Sequence, residues 1–84
     1  VGETRQKVQD AIRDELNAPV TIHDFRMVTG PTHTNVIFDA VIPNELSISD
    51  EQARKEINQA VSRLPGNYHA VVTIDKPYLG EEET

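Results

Sequence analysis

The stretch from Val20 to Pro43 constrains this chain most, because VTIHDFRMVTGPTHTNVIFDAVIP carries two apolar-rich runs on either side of Gly30-Pro31. Ile22, Phe25, Met27 and Val28 precede the turn, and Val36, Ile37, Phe38, Val41 and Ile42 follow it. β-Branched and aromatic residues therefore dominate both arms, which predicts a β-hairpin. Thr-His-Thr after Pro31 makes the connection longer than a two-residue turn, so a loop of about four or five residues or a bulge is expected. In the second arm Val36, Phe38, Ala40 and Ile42 share one face, and Asn35, Ile37, Asp39 and Val41 the other. The first arm alternates imperfectly: Thr21, His23, Phe25 and Met27 stand against Val20, Ile22, Asp24, Arg26 and Val28, and neither face is cleanly apolar. A buried strand pair avoids polar insertions such as His23, Asp24, Arg26 and Asp39 unless they meet solvent, a partner chain or a metal.

The flanks supply two helices and a third strand. From Glu3 to Asn17, Val8, Ala11, Ile12 and Leu16 recur every three or four residues, the stripe of an amphipathic helix, with Thr4 as its expected N-cap and Ala18-Pro19 as its stop. Ser49 followed by Gln52 reads as a capping box, and Ala53, Ile57, Ala60, Val61 and Leu64 give a second stripe that Pro65-Gly66-Asn67 ends. Tyr68 to Asp75 alternates Ala70, Val72 and Ile74 against His69, Val71, Thr73 and Asp75, and Pro77 closes that strand. The order αββαβ implies an α+β open sandwich, a three-stranded sheet with both helices on one face. The domain is expected over 1–79, followed by a disordered acidic tail over 80–84.

Composition narrows the functions open to such a fold. A domain of 84 residues buries on the order of two-thirds or less of its unfolded surface, so a partner chain would help it. Fourteen acidic against eight basic residues give a net charge of −6, which repels phosphate and excludes a nucleic-acid partner. Cysteine is absent, so metal could bind only through histidine, carboxylate or carbonyl groups. No apolar run approaches the ~20 residues of a membrane-spanning helix, and the chain starts at Val1, as an excised domain of a longer protein would.

His23-Asp24 is the most suggestive dipeptide, since imidazole and carboxylate ligate borderline cations, although neighbouring strand residues point to opposite faces unless the strand bulges. Asp24 and Arg26, two apart, read as a solvated ion pair. Asp39 interrupts the apolar face of Ile37 and Val41, and Asp75 shares a face with Thr73 and Val71, so the two carboxylates could converge and, with His23, suit Zn²⁺ or a similar ion. The bland alternative leaves Asp75 at a strand end and Asp39 in water. His33 and His69 read as exposed. No phosphate loop, nucleophile elbow or Ser/His pairing is present, and no enzymatic activity is expected.

IHDFRMVTGP, NVIFDAVIP and VVTIDKPY, in this order and with helices before and between them, resemble the cytoplasmic C-terminal domain of cation diffusion facilitator transporters, over about Glu3 to Tyr78. The resemblance implies a ferredoxin-like, metallochaperone-like αββαβ fold, a homodimer at the cytoplasmic face of a membrane, a membrane domain N-terminal to this segment, and a role in the efflux of Zn²⁺ or a related divalent ion. His23-Asp24-Phe25 matches the family's His-Asp-Leu and Gly30-Pro31 its turn. Asp39 stands where the family has a histidine, Thr73-Ile74-Asp75 matches its His-x-Asp with threonine in the first place, and Ser49-Asp50 lies where a further family histidine falls. The metal ligands implied are His23, Asp39 and Asp75. A freestanding ferredoxin-like module for a small molecule is the alternative, since this fold hosts many functions. A metal-dependent hydrolase lacks a second histidine cluster.

Overall fold

Helix α1 (Gly2–Leu16), strands β1 (Thr21–Thr29) and β2 (Thr34–Val41), helix α2 (Asp50–Ser62) and strand β3 (Tyr68–Asp75) follow one another in the expected order. The computed structural model describes residues 2–75; the tail at 80–84 and the proline stop at Pro77 lie outside them. The sheet order is β1-β2-β3, antiparallel between β1 and β2 and parallel between β2 and β3, so α2 is the crossover that a parallel pair requires.

The helix stripes and the inner sheet face make one aliphatic core. Val8, Ile12, Leu16, Ala53, Ile57, Ala60 and Val61 meet Val20, Ile22, Val36, Phe38, Ala40, Ile42, Ala70 and Val72, all of them buried. The Phe25 ring stacks on Phe38 with centroids 6.1 Å apart, which closes the core at the hairpin. Among the described residues no polar or charged side chain is buried, so apolar burial rather than any internal polar network holds the layers together.

The imperfect alternation of β1 has a definite cause. His23 pairs with Asp39, but the next pair is Arg26 with Ile37, so Asp24 and Phe25 together oppose Phe38. This is a β-bulge, and Asp24 takes the left-handed conformation at φ 55° that its first residue adopts. Before it Val20 and Ile22 point inward; after it Phe25 and Met27 do. One extra residue shifts the pleat by one position, so both apolar pairs reach the core, while His23 and Arg26 both stay on the outside.

Strand β1 is an edge, and α1 services its free backbone groups. Arg5 Nη2 donates to the Ile22 carbonyl at 2.9 Å, Gln9 Oε1 accepts from the Ile22 amide at 3.2 Å, and Arg13 Nε donates to the Val20 carbonyl at 2.8 Å. Four-residue spacing lines these side chains up along one helix face, where they occupy groups that would otherwise template another strand.

The helix ends differ in detail from expectation. Helix α1 is already running at Gly2, so Thr4 is inside its first turns and not its cap. It ends at Asn17, φ 53°, with Ala18 N–H bonded back to the Arg13 carbonyl at 3.3 Å, a Schellman closure. Ser49 does cap α2, accepting from the Gln52 amide at 3.1 Å, but Gln52 Nε2 reaches forward to Glu56 instead of back to the cap, so only half of the capping box forms.

Candidate metal-binding face

Both helices pack on the inner side, and among the described residues no element covers the outer face of the sheet. The register sets its residues in rows: Thr21, Val41 and Asp75; His23, Asp39 and Thr73; Arg26, Ile37 and Val71; Val28, Asn35 and His69. The bulge creates this arrangement. Without the extra residue, His23 and Arg26 would lie on opposite faces; with it, His23 stands directly across from Asp39.

Opposed residues of antiparallel strands have Cβ atoms about 4.5–5.5 Å apart, so one ion can reach both the His23 imidazole and the Asp39 carboxylate. Thr73 completes the row on β3, next to Asp39. Asp75 pairs with Val41 and sits two residues further along β3, about 7 Å from the row. The structure thus brings His23 and Asp39 together and leaves Asp75 in the neighbouring row. His23 and Asp75 are exposed and Asp39 is half-buried. Among the described residues no group of three or more His, Cys, Asp or Glu side chains is placed to hold a metal ion. A pair of donors binds weakly, whereas a structural zinc site takes four. Water or a second chain would have to supply the rest.

A surface hollow of about 650 Å³ lies over this part of the sheet, with Asp24, Arg26, Ile37, Asp39 and Thr73 in its lining. The expected Asp24–Arg26 ion pair is not among the salt bridges of the described residues: the bulge takes Asp24 out of the alternation that would have set the two side by side. An ion pair that does form, Arg63 with Glu15, joins the end of α2 to α1 in the helix layer. Apolar residues are set among the polar ones on the rest of the face. Val71 and Val28 are 48% and 52% exposed, with half-buried Ile37 and Val41 between the edges. The alternation of β3 places Thr73 on one face with Val71 and Asp75, as observed, whereas the place of Arg26 beside His23 was not read from the sequence; the signal available was the change of apolar parity between Ile22 and Phe25.

No protein-family model matches the chain, and no curated protein does. A search of solved structures finds the chain similar to one determined for the mode of action of CzrB, a candidate zinc transporter, with 16% sequence identity, 90% of each chain covered and a TM-score of 0.66. At that identity the likeness speaks for the fold. The αββαβ fold implied by the sequence resemblance is the fold observed.

Proposed function

We propose that this chain is the self-associating regulatory domain of a divalent-cation efflux transporter of the cation diffusion facilitator type, held at the cytoplasmic face of a membrane by a membrane domain N-terminal to it. The observation that carries this reading is the likeness of fold to CzrB over 90% of both chains. Support comes from His23-Asp24-Phe25, Gly30-Pro31 and Thr73-Ile74-Asp75, the segments that resemble that family. Among the described residues no helix is long and apolar enough to cross a membrane; in this reading the transport path is in the attached domain.

The domain acts by association rather than by catalysis. Two copies meet through the outer sheet face, where Ile37, Val41 and Val71 leave water. His23 and Asp39 then hold Zn²⁺ or a related ion with water and donors from the second copy, and Asp75, one row away, reaches the ion through water or from the facing chain. An ion that binds both arrangements of the protomers equally shifts nothing, so regulation requires that one arrangement enclose it better. The degenerate ligand set, with Asp39 and Thr73 at the family's histidine positions, favours a weak site and a hard or borderline ion.

Calorimetric titration of the chain with Zn²⁺ and with Mn²⁺ tests this reading. Binding is expected for the parent chain, reduced on Asp39→Ala and, to a smaller degree, on Asp75→Ala. Unchanged affinity in both variants, or no binding to the parent, leaves a domain that associates without sensing metal.

A further inference from the structure

At the opposite end of the sheet from Asp75, two imidazoles from different elements come together. The His33 ring, in the loop between β1 and β2, meets the His69 ring, on β3, edge to face with centroids 5.6 Å apart. Their backbone supports are fixed. Gly30 N–H bonds to the His33 carbonyl at 2.8 Å, and a Cβ on Gly30 would come within 3.0 Å of that same oxygen, so the loop closes this tightly because the residue is glycine. Thr34 N–H donates to the Asn67 carbonyl at 3.2 Å, and the Asn67 amide donates to the Thr32 carbonyl, so the loop is tied to the chain just before His69 from both directions.

The ring chemistry suits a cation. Nδ1 of His33 lies 3.1 Å from the Thr32 hydroxyl, which leaves Nε2 as its coordinating nitrogen when Nδ1–H donates to that hydroxyl; metal-bound histidines are oriented in this way. An ion bound at about 2.0–2.1 Å from each nitrogen stands about 3.2 Å from each ring centre, so a tetrahedral angle sets the centres about 5.2 Å apart and the right angle of tetragonal Cu²⁺ about 4.5 Å apart. The observed 5.6 Å is close to the tetrahedral spacing and about 1 Å wider than the tetragonal one, a gap that small side-chain rotations of two exposed residues close.

We propose that His33 and His69 form a second metal site, one that takes an imidazole-preferring divalent cation with water in the remaining positions. Two neutral nitrogens and no carboxylate select Cu²⁺ over Ni²⁺ and Zn²⁺ and reject Mg²⁺ and Mn²⁺. His69 lies four residues from Thr73 on β3, roughly 13 Å from the His23–Asp39 row, so the two sites do not share a ligand. This site does not depend on the transporter reading.

The test is Cu²⁺ titration of the 84-residue chain by calorimetry, with imidazole ¹H–¹⁵N spectra recorded under Zn²⁺ to identify the ligands. His33 and His69 signals are expected to shift together. His33→Ala and His69→Ala should each weaken Cu²⁺ binding by at least about tenfold, whereas His23→Ala leaves the His33 and His69 shifts intact. Both variants alter exposed side chains, and circular dichroism checks that they fold. No Cu²⁺ binding by the parent chain, full affinity in His69→Ala, or Zn²⁺-induced shifts confined to His23 would overturn the proposal.

Discussion

Replacing Asp24 tests the bulge on which the outer face depends. A residue with a Cβ loses about 1–2 kcal/mol in the left-handed region, somewhat less for Asp, which tolerates it best after Gly and Asn. At φ 55°, Asp24→Gly removes that strain but adds about 0.5–1 kcal/mol of unfolded-state entropy, so the net effect is a gain of up to about 1 kcal/mol. Asp24→Val does the reverse. A β-branched residue held in that region is strained by about 1–3 kcal/mol, and Val cannot relieve it with a local hydrogen bond. Val strain of about 1–3 kcal/mol less the glycine entropy of about 0.5–1 kcal/mol leaves Asp24→Val less stable than Asp24→Gly by about 1–2 kcal/mol, and at ~4–8 °C per kcal/mol for a domain of this size their melting temperatures should separate by at least about 4 °C. Thermal unfolding followed by far-ultraviolet circular dichroism measures this. If Asp24→Val melts at or above the parent, the strand runs through position 24 without a bulge, and His23 does not face Asp39.

Two further substitutions probe how the elements are joined. Gln9→Ala leaves the Ile22 amide without its partner at a fully buried residue and should cost about 1–3 kcal/mol, read as a lower urea midpoint with unchanged slope. Gly66→Ala should destabilise by about 1–3 kcal/mol in the same assay, because Gly66 sits at φ 129° and a Cβ there would stand 2.7 Å from the Tyr68 ring.

The helix stripes, the hairpin and the third strand were legible because each has a period that only one element satisfies. Val8, Ala11 and Ile12 cannot share a face of a strand, because position 11 has the opposite parity, and Val36, Phe38, Ala40 and Ile42 cannot share a face of a helix. The start of α1 was not legible, since nothing in the sequence before Thr4 marks a stop and glycine is a poor helix former, so Gly2 carries no sign of lying inside the helix. The parity change in β1 showed that a bulge was needed if His23 and Asp39 were to meet. Its location was hidden because an extra residue anywhere from His23 to Phe25 would bring Ile22 and Phe25 to the same face. Asp75 is placed by the β2–β3 register, which the packing of α2 sets and no turn motif encodes, so its position one row away could not be read from spacing. The His33–His69 pair escaped for the same reason: the residues are far apart in sequence and share no element.

Sedimentation equilibrium of the 84-residue chain at micromolar concentration, beside the same chain carrying Val71→Asp, tests the central claim that the outer sheet face joins two copies. Val71 is 48% exposed, so the substitution leaves the protomer core intact while setting a charge in the proposed interface. The account predicts a dimer for the parent and a folded monomer for the variant; a parent chain that stays monomeric, or a variant that dimerises as well as the parent, would contradict it.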